Sequence, residues 1–292
     1  MSHVYAAVEA ITSNKEFTVR GACEVLQVNA SAYYAWHRAE PTTRDLRNDA
    51  LLPLVKALFW KHRRRYGTRR IADDLADLGH AVSERKVAEL LKIAGLKAIQ
   101  PKSYKPRTTD SRHRLGFNPN LLLDLPPLVR CNQLWVGDIT YVPIRRGGFC
   151  YAAILMDRFS RMIVGWNLLN NMSEQLVLSV LHHSICERQP LPGLIHHSDR
   201  GGQYASHEYR HVLRRASMLQ SMSREANVYD NAFMESCFGT IKTELEMVDY
   251  ESIAQAIREF GEYIRYYNLE RKHSALEYLT PHQFEAYQQQ RK

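Results

Sequence analysis

Apolar residues in the first hundred positions recur at helical spacing, and residues that can cap helices precede several of these repeats. The segment from Thr18 to Trp36 reads as a helix-turn-helix within a helical N-terminal segment of residues 1–40. A longer helix is predicted over 43–65, and a shorter one follows from Thr68. Ser83 is a good cap for a third, so a second helix-turn-helix is predicted. A plain helical hairpin has the same spacing.

From Asn132 onward the pattern changes to alternating strands and helices. Strands are predicted at 134–143, 149–157 and 162–168, forming a three-strand antiparallel meander with Gly147-Gly148 as the first turn. Helices and strands then alternate; the predicted elements are 173–187, 193–198, 207–215, 219–222, 231–246 and 252–268. This order is that of ribonuclease H. The predicted fold class is an α/β, ribonuclease H-like catalytic core with a mixed sheet, preceded by an all-α helix-turn-helix region.

Residues 99–128 join the two halves and differ from both. They are basic, polar and interrupted by proline, which predicts an extended linker. Such a linker could follow a phosphate backbone or serve only as a tether. The predicted organisation is an N-terminal helical segment at 1–40, a DNA-binding helix-turn-helix domain at 41–98, the linker at 99–128, and the catalytic core with C-terminal helices at 129–292.

The charge distribution supports a nucleic-acid partner for the first half. Residues 1–130 carry 22 Lys and Arg against 13 Asp and Glu, whereas residues 131–292 carry 17 against 18. The basic excess of the chain, +8 in all, therefore lies in the first part, as expected for a nucleic-acid anchor joined to a near-neutral domain. A solvated basic face without a ligand is the alternative.

Composition excludes several other classes of protein. The five cysteines are far apart and form no Cys-x-x-Cys pair, which argues against a disulfide framework or a cysteine zinc site. No apolar run reaches the length of a membrane span, and the N-terminus lacks the pattern of a secretory signal. We therefore expect no membrane association, and a bacterial cytoplasmic location at the nucleoid.

Three carboxylates occur where a charge is costly. Asp138 interrupts an apolar strand, Asp199 ends a second strand, and Glu235 lies on a helix. In a ribonuclease H arrangement the two strands are neighbours, so Asp138 and Asp199 could meet, and Glu235 would approach from a helix packed on the sheet. Grouped carboxylates suit Mg²⁺ or Mn²⁺, and two such ions about 4 Å apart serve in-line attack at a phosphodiester. Any one of the three alone could be a capping or surface acid.

Two further features lie near these acids. Lys242 follows Glu235 by two helical turns, so it shares that helix face and could bind a DNA phosphate. His196 and His197 are adjacent in a strand and point to opposite faces, so at most one could reach a metal. Structural roles are expected for both histidines, and Arg200-Gly201-Gly202 is expected to be a tight turn.

Several ordered motifs together resemble a known family. The chain is similar to the larger open-reading-frame transposase of the IS3 insertion-sequence family, within the DDE transposase and retroviral-integrase superfamily. The matching pieces are Trp135–Tyr141, His197–Tyr204, Asp230–Ser236, Lys242-Thr243-Glu244, Tyr66–Ile71, and the closing Tyr267-Asn268, Arg271, His273, Leu276 and Pro281.

The resemblance implies a strand-transfer enzyme that depends on Mg²⁺ or Mn²⁺, with two ions per site, and that acts on the inverted-repeat ends of its element and on target DNA. It assigns catalysis and metal binding to Asp138, Asp199 and Glu235. Predicted DNA contacts are Lys242, Arg85, Lys86, Arg69, Arg70, Lys102 and Lys105.

The sequence departs from the family pattern at two positions and in one larger feature. Ala226 stands where members often have glycine, which would be costly if that loop needs positive φ. Gly137 replaces a common threonine and should be tolerated. Family members are often produced as a fusion with an upstream protein that adds a leucine zipper, and no sustained heptad repeat is present here. We therefore expect an upstream open-reading-frame partner or fusion, and self-association on DNA that is weak without it.

Two other functions share some of these features. One is a catalytically impaired DNA-binding copy, or a regulator that occupies element ends. The other is a general nuclease of the ribonuclease H kind. The intact set of Asp138, Asp199 and Glu235 favours catalysis over the first, and the basic helical module favours DNA ends over RNA hybrids as the substrate.

Overall fold

The computed structural model describes residues 2–13, 17–38, 43–100, 116–145, 148–224, 232–246 and 250–291. Lys102, Lys105, Gly147 and Ala226, to which predictions were attached, lie outside these residues. Among the helices in the described part of the chain, none combines the length and the apolar character needed to span a bilayer.

The N-terminal segment forms three short helices with a core of their own. These are α1 (Ser2–Thr12), α2 (Val19–Val25) and α3 (Ala30–His37). The Thr18 hydroxyl accepts a hydrogen bond from the Gly21 N–H, and Asn29 Oδ1 accepts one from the Ser31 N–H, so Thr18 caps α2 and Asn29 caps α3. Buried side chains of all three helices pack together, namely Tyr5, Val8, Ala22, Cys23 and Tyr33.

The predicted second helix-turn-helix is also present. It consists of α4 (Thr43–Lys61), α5 (Thr68–Asp77) and α6 (Glu84–Ile93), and the Ser83 hydroxyl caps α6. Helix α4 was expected to reach residue 65 but ends at Lys61. Arg63 and Arg64 adopt positive φ angles of 50° and 65°, which a continuing right-handed helix cannot contain.

A five-stranded mixed sheet forms the centre of the second half. Its strands are β1 (Leu134–Ile144), β2 (Gly148–Asp157), β3 (Ile163–Leu169), β4 (Ile195–Ser198) and β5 (Leu219–Met222), in the order β3-β2-β1-β4-β5. The first three strands pair antiparallel, whereas β4 is parallel to both β1 and β5. The ribonuclease H-like fold class predicted from the sequence is confirmed.

Helices cover both faces of this sheet. They are α7 (Glu174–Arg188), α8 (Gly202–Ala205), α9 (His207–Arg215), α10 (Ala232–Glu244), α11 (Ile253–Leu269) and α12 (Pro281–Gln290), with a short 3₁₀ helix at Ser274–Leu276. Helix α12 was not predicted, although Thr280 and Gln283 form a capping box around its start. Its buried Glu285 pairs with Arg188 at 2.7 Å, which fixes α12 to the core.

The two faces of the sheet bury different partners. One face packs against α7 and α9, through residues such as Trp135 and Leu155. The other face packs against α10 and α11, and the same core extends into α4, α5 and α6 through residues such as Val55, Leu75 and Leu90. The helix-turn-helix is therefore docked on the catalytic half by a shared apolar core, which the linker composition did not suggest.

Candidate active site

The pairing of β1 with β4 brings two of the predicted acids together. The parallel register joins Trp135 to His196 and Val136 to His197, and continuing it by two residues sets Asp138 beside Asp199. Alternate residues of a strand share a face, so Asp138 lies on the face of Val136, which packs toward α10 and α11. Asp199 follows directly after β4, where the chain leaves the sheet.

Local backbone contacts orient both carboxylates. Asp138 Oδ1 accepts a hydrogen bond from the Ile139 N–H at 2.7 Å, and Asp199 Oδ1 accepts one from the Gly201 N–H at 2.9 Å. Both residues are half-buried. A Cβ at Gly201 would lie 3.0 Å from Asp199 Oδ1, so glycine allows the chain to turn closely around this carboxylate.

The pKa of the buried Tyr204 hydroxyl is influenced by the charges of both aspartates. Burial raises the pKa of its hydroxyl well above the ordinary value, and the charges of Tyr209, Asp138 and Asp199 add to the shift. Its oxygen would be 3.6 Å from a Cβ at Gly137. The phenol is therefore a neutral, protonated group on the Gly137 side of β1.

Gly137 makes closer contacts than its small size alone suggested. A Cβ at this position would lie 3.3 Å from both His196 Nε2 and Leu155 Cδ1. A side chain here would require these neighbours to move by a few tenths of an ångström. Glycine thus fits tightly against the buried face opposite Asp138.

Helix α10 carries the third acid and the accompanying lysine. Its buried stripe, Met234, Cys237, Phe238 and Ile241, packs against the sheet and α11. Glu235 and Lys242 lie two turns apart on one flank of this stripe, and Glu235 is exposed. Burial lowers the pKa of Lys242, while the Asp138 charge opposes that shift, so this flank faces Asp138.

The three predicted acids do not form the tight acidic cluster of the described structure. Among the described residues, the group of acids whose oxygens all lie within 4.8 Å of one another is Asp73, Asp74 and Asp77. The Lys272 ammonium already occupies that group, at 2.5 Å from Asp73, 3.0 Å from Asp74 and 2.6 Å from Asp77. Proximity alone would therefore select Asp73, Asp74 and Asp77, whose charge the Lys272 ammonium already offsets.

The adjacent histidines have structural partners, as expected. His196 Nε2 lies 2.8 Å from the Tyr209 hydroxyl, and His197 Nδ1 lies 2.8 Å from the Ser221 hydroxyl. Burial, with a smaller effect of His197, lowers the pKa of His196 to about 3. His196 is therefore a neutral acceptor in the core rather than a site residue.

Family comparisons agree with both halves of this architecture. Residues 46–104 match an HTH-like domain, and residues 129–228 and 217–281 match two models of an integrase core domain. The chain is 37% identical over 253 residues to the transposase for insertion sequence element IS904 of Lactococcus lactis, covering 86% of this chain and 99% of that protein. It is 34% identical to transposase InsF for insertion sequence IS3A of Escherichia coli, covering 92% and 94%.

The chain belongs to the IS3-type insertion-sequence transposases. It is a DNA-binding DDE transposase with an integrase core. Among solved structures, the HTLV-2 integrase catalytic core domain in complex with magnesium is similar at a TM-score of 0.43 and 15% identity, covering 54% of this chain and 98% of that one.

Three predicted DNA contacts of the transposase lie near the start of α6. Arg85 is exposed, and Lys86 lies 3.2 Å from Glu89 one turn along α6. Both line an open cavity of about 720 Å³ with Arg47 and Ser83. Arg69, on α5, is largely exposed and pairs with Glu84 at 3.2 Å. These side chains can exchange a surface partner for phosphate at little cost.

Arg70 of the transposase has a different environment from its neighbour. Its guanidinium lies 3.4 Å from the buried Glu244 carboxylate and 5.3 Å from the centre of the Tyr66 ring. The preceding basic run also contacts protein: Arg65 Nε donates to the Glu244 carbonyl oxygen at 3.1 Å, and Arg64 lies 3.8 Å from Glu246. Composition offered no signal for these partners, since Glu244 is 174 residues away from Arg70.

Proposed function

We propose that Asp138, Asp199 and Glu235 form the site at which this transposase cleaves DNA at the inverted-repeat ends of its element and joins those ends to new DNA. The observation that carries the proposal is the β1–β4 register, which sets Asp138 beside Asp199. Lys242, which shares a flank of α10 with Glu235, has a pKa influenced by the charge of Asp138, which supports the same grouping.

The donor set suits a divalent cation, Mg²⁺ or Mn²⁺. Carboxylate oxygens are the ligands these ions prefer, and the effect of both Asp138 and Asp199 on the pKa of Tyr204 supports their grouping. We propose that two ions bind per site and that Asp138, Asp199 and Glu235 would supply the carboxylates that hold them. Bound ions would lower the pKa of an attacking water or 3′-hydroxyl and stabilise the leaving oxygen.

The remaining residues of the site bind and orient the substrate. The Lys242 ammonium, beside Asp138 on the α10 flank, is placed to contact a DNA phosphate next to the scissile bond. The buried Tyr204 phenol stays protonated, so it adds no third negative charge under the two aspartates. No side chain is needed as a nucleophile, because water or a DNA hydroxyl attacks.

The element end is recognised by the helix-turn-helix. We propose that Arg85 and Lys86 at the start of α6, with Arg69 on α5, contact the duplex, and that Lys102 and Lys105 follow its phosphates. Arg70 was predicted to join them, but its ion pair with Glu244 favours a role within the protein. Self-association on DNA and an upstream protein partner or fusion are part of the same proposal.

A strand-transfer assay tests the proposal. A labelled duplex bearing the element end is incubated with the transposase and Mg²⁺ or Mn²⁺, beside the Glu235→Gln variant. Metal-dependent 3′-end cleavage or joining that the variant lacks supports the assignment. Equal activity of the variant contradicts it. If the wild-type chain binds DNA without product, the assay is repeated with the upstream protein fused, and continued inactivity then favours the impaired copy.

A further inference from the structure

Helix α10 has a second charged flank, on the side away from the proposed site. Glu244 comes two residues after Lys242, about 200° around the helix, so it points away from Glu235 and Lys242. The Glu244 side chain is only 7% exposed, whereas Glu235 on the same helix is exposed. Glu235 and Glu244 therefore lie on opposite sides of α10.

The Glu244 carboxylate is fully engaged by protein donors. Arg271 contacts it through Nε at 2.9 Å and Nη2 at 2.7 Å, and the Tyr263 hydroxyl donates to it at 3.0 Å. Arg70, from α5 of the helix-turn-helix, adds a third donor at 3.4 Å. The end of α10 is therefore held jointly by the catalytic half and by the DNA-binding half.

Charge favours the arrangement at this end of α10. The carbonyl end of a helix carries partial negative charge, and Arg70, Arg65 and Arg64 all contact residues 244–246 there. Arg64 and Arg65 lie in the connection between α4 and α5, and Arg70 lies in the first turn of α5. Its neighbour Arg69 faces solvent, whereas Arg70 faces α10, the helix that bears Glu235.

We propose that Arg70 is a positioning residue that couples DNA recognition to the helix bearing Glu235. This rests on the proposed catalytic role of Glu235. The Arg70–Glu244 pair fixes α10 relative to α5, so that a shift of the recognition helices on the element end changes how α10 is held. Without the pair, α10 keeps Arg271 and Tyr263 but loses its direct charged contact with α5.

The test compares Arg70→Gln with its sequence neighbour Arg69→Gln as the matched control. Hydrogen exchange of the α10 amides is measured in the full chain, together with affinity for a labelled element end and the rate of joining from saturated complexes. Arg70→Gln is expected to speed α10 exchange and slow joining, each by about tenfold, with end affinity changed less than about twofold. Arg69→Gln is expected to weaken binding and leave α10 exchange unchanged.

Rescue separates positioning from general damage. Arg70→Lys keeps a cation near Glu244 and is expected to recover most of the α10 protection that Arg70→Gln loses. The proposal is overturned if Arg70→Gln weakens end binding while α10 exchange stays as in the wild type, because Arg70 is then a DNA contact. It is also overturned if Arg70→Lys recovers none of the protection. A failure of the catalytic assignment appears separately, as joining retained by Glu235→Gln, and does not affect the exchange measurement.

Discussion

Two acidic groups of the transposase look alike in composition and differ in what surrounds them. Asp73, Asp74 and Asp77 have oxygens within 4.8 Å of one another, and the Lys272 ammonium lies among them. Asp138 and Asp199 are brought together by continuing the β1–β4 register, and Glu235 lies on the flank of α10 that also bears Lys242. The first group is neutralised by the protein, whereas we propose that the second holds a ligand.

The contrast teaches that proximity of carboxylates does not by itself indicate a metal site. His62 Nε2 lies 2.8 Å from Asp74, and Lys272 contacts all three acids of the first group. Burial by itself would raise the pKa of Asp74, but these hydrogen bonds outweigh it and hold the pKa below the ordinary value. The first group therefore joins the helix-turn-helix to the segment after α11, and we assign it a structural role.

The largest expected effect is on the rate of joining, which should depend on Asp138 and not on Asp73. Asp138→Asn is expected to reduce joining at least about 1000-fold, which corresponds to about 4 kcal/mol of barrier, because a shared metal ligand is lost. DNA binding should be nearly intact. Asp73→Asn is the matched control and should join ends at close to the wild-type rate. Comparable losses in the two variants would contradict the contrast.

The free energy of unfolding should depend more on the first acidic group than on the second. Asp74→Ala removes a partner of both His62 and Lys272 in a buried setting and is expected to lower the free energy of unfolding by about 3 kcal/mol. Asp138→Asn should change it by less than about 1 kcal/mol, since like charge beside Asp199 is removed. Urea unfolding of both variants measures this. A larger loss for Asp138→Asn than for Asp74→Ala would count against the structural role.

The pH dependence of stability should come first from a buried histidine rather than from either acidic group. His196 has a pKa of about 3 in the fold, against an ordinary value of 6.5, because burial disfavours its charged form. Between these values the unfolded chain binds the extra proton, so stability falls as pH falls. The loss from His196 should reach about 2 kcal/mol at pH 5.

Unfolding measured at pH 7, 6 and 5 checks this window, with His196→Gln as a variant that should flatten the slope. His273 contributes in the same direction, since burial and the charge of Arg271 lower its pKa to about 2. Asp74 acts in a lower pH range. Its pKa is lowered, so its contribution to stability is lost only as pH falls below the ordinary 3.8. Constant stability from pH 7 to 5 would contradict the assignment to His196.

The exposed arginines should affect DNA binding rather than joining or stability. Arg85→Ala should weaken binding of the element end by about 1–3 kcal/mol if the side chain reads a base, and the loss should be smaller on unrelated duplexes. Affinity is measured at one fixed salt concentration, because phosphate contacts vary strongly with salt. An equal loss on all sequences would reassign Arg85 to a phosphate contact.

Much of the fold followed from patterns that act locally. Alternation and turn residues gave the three-strand meander, and the cap Ser83 gave the start of α6. The fold class then set Asp138 beside Asp199, because it fixes which strands are neighbours. Helix α12 carried a local signal as well, in Thr280 and Gln283, that was not used.

The partners of charged residues could not be predicted in the same way. Arg69 and Arg70 are adjacent in sequence, yet one faces solvent and the other meets a buried carboxylate. Net charge does not distinguish a cation that binds DNA from one that pairs with a distant acid. The docking of the helix-turn-helix on α10 and α11 depends on a shared core that no linker composition reveals.

Metal binding tests the central contrast most directly. Mn²⁺ is titrated into the full chain and followed by electron paramagnetic resonance, in the wild type, Asp138→Asn and Asp73→Asn, each shown to be folded. We predict that Asp138→Asn weakens binding at least about tenfold, because charged carboxylates dominate affinity for hard cations. Asp73→Asn should bind as the wild type does. Loss of binding in Asp73→Asn with retention in Asp138→Asn would place the ion among Asp73, Asp74 and Asp77 and contradict the account.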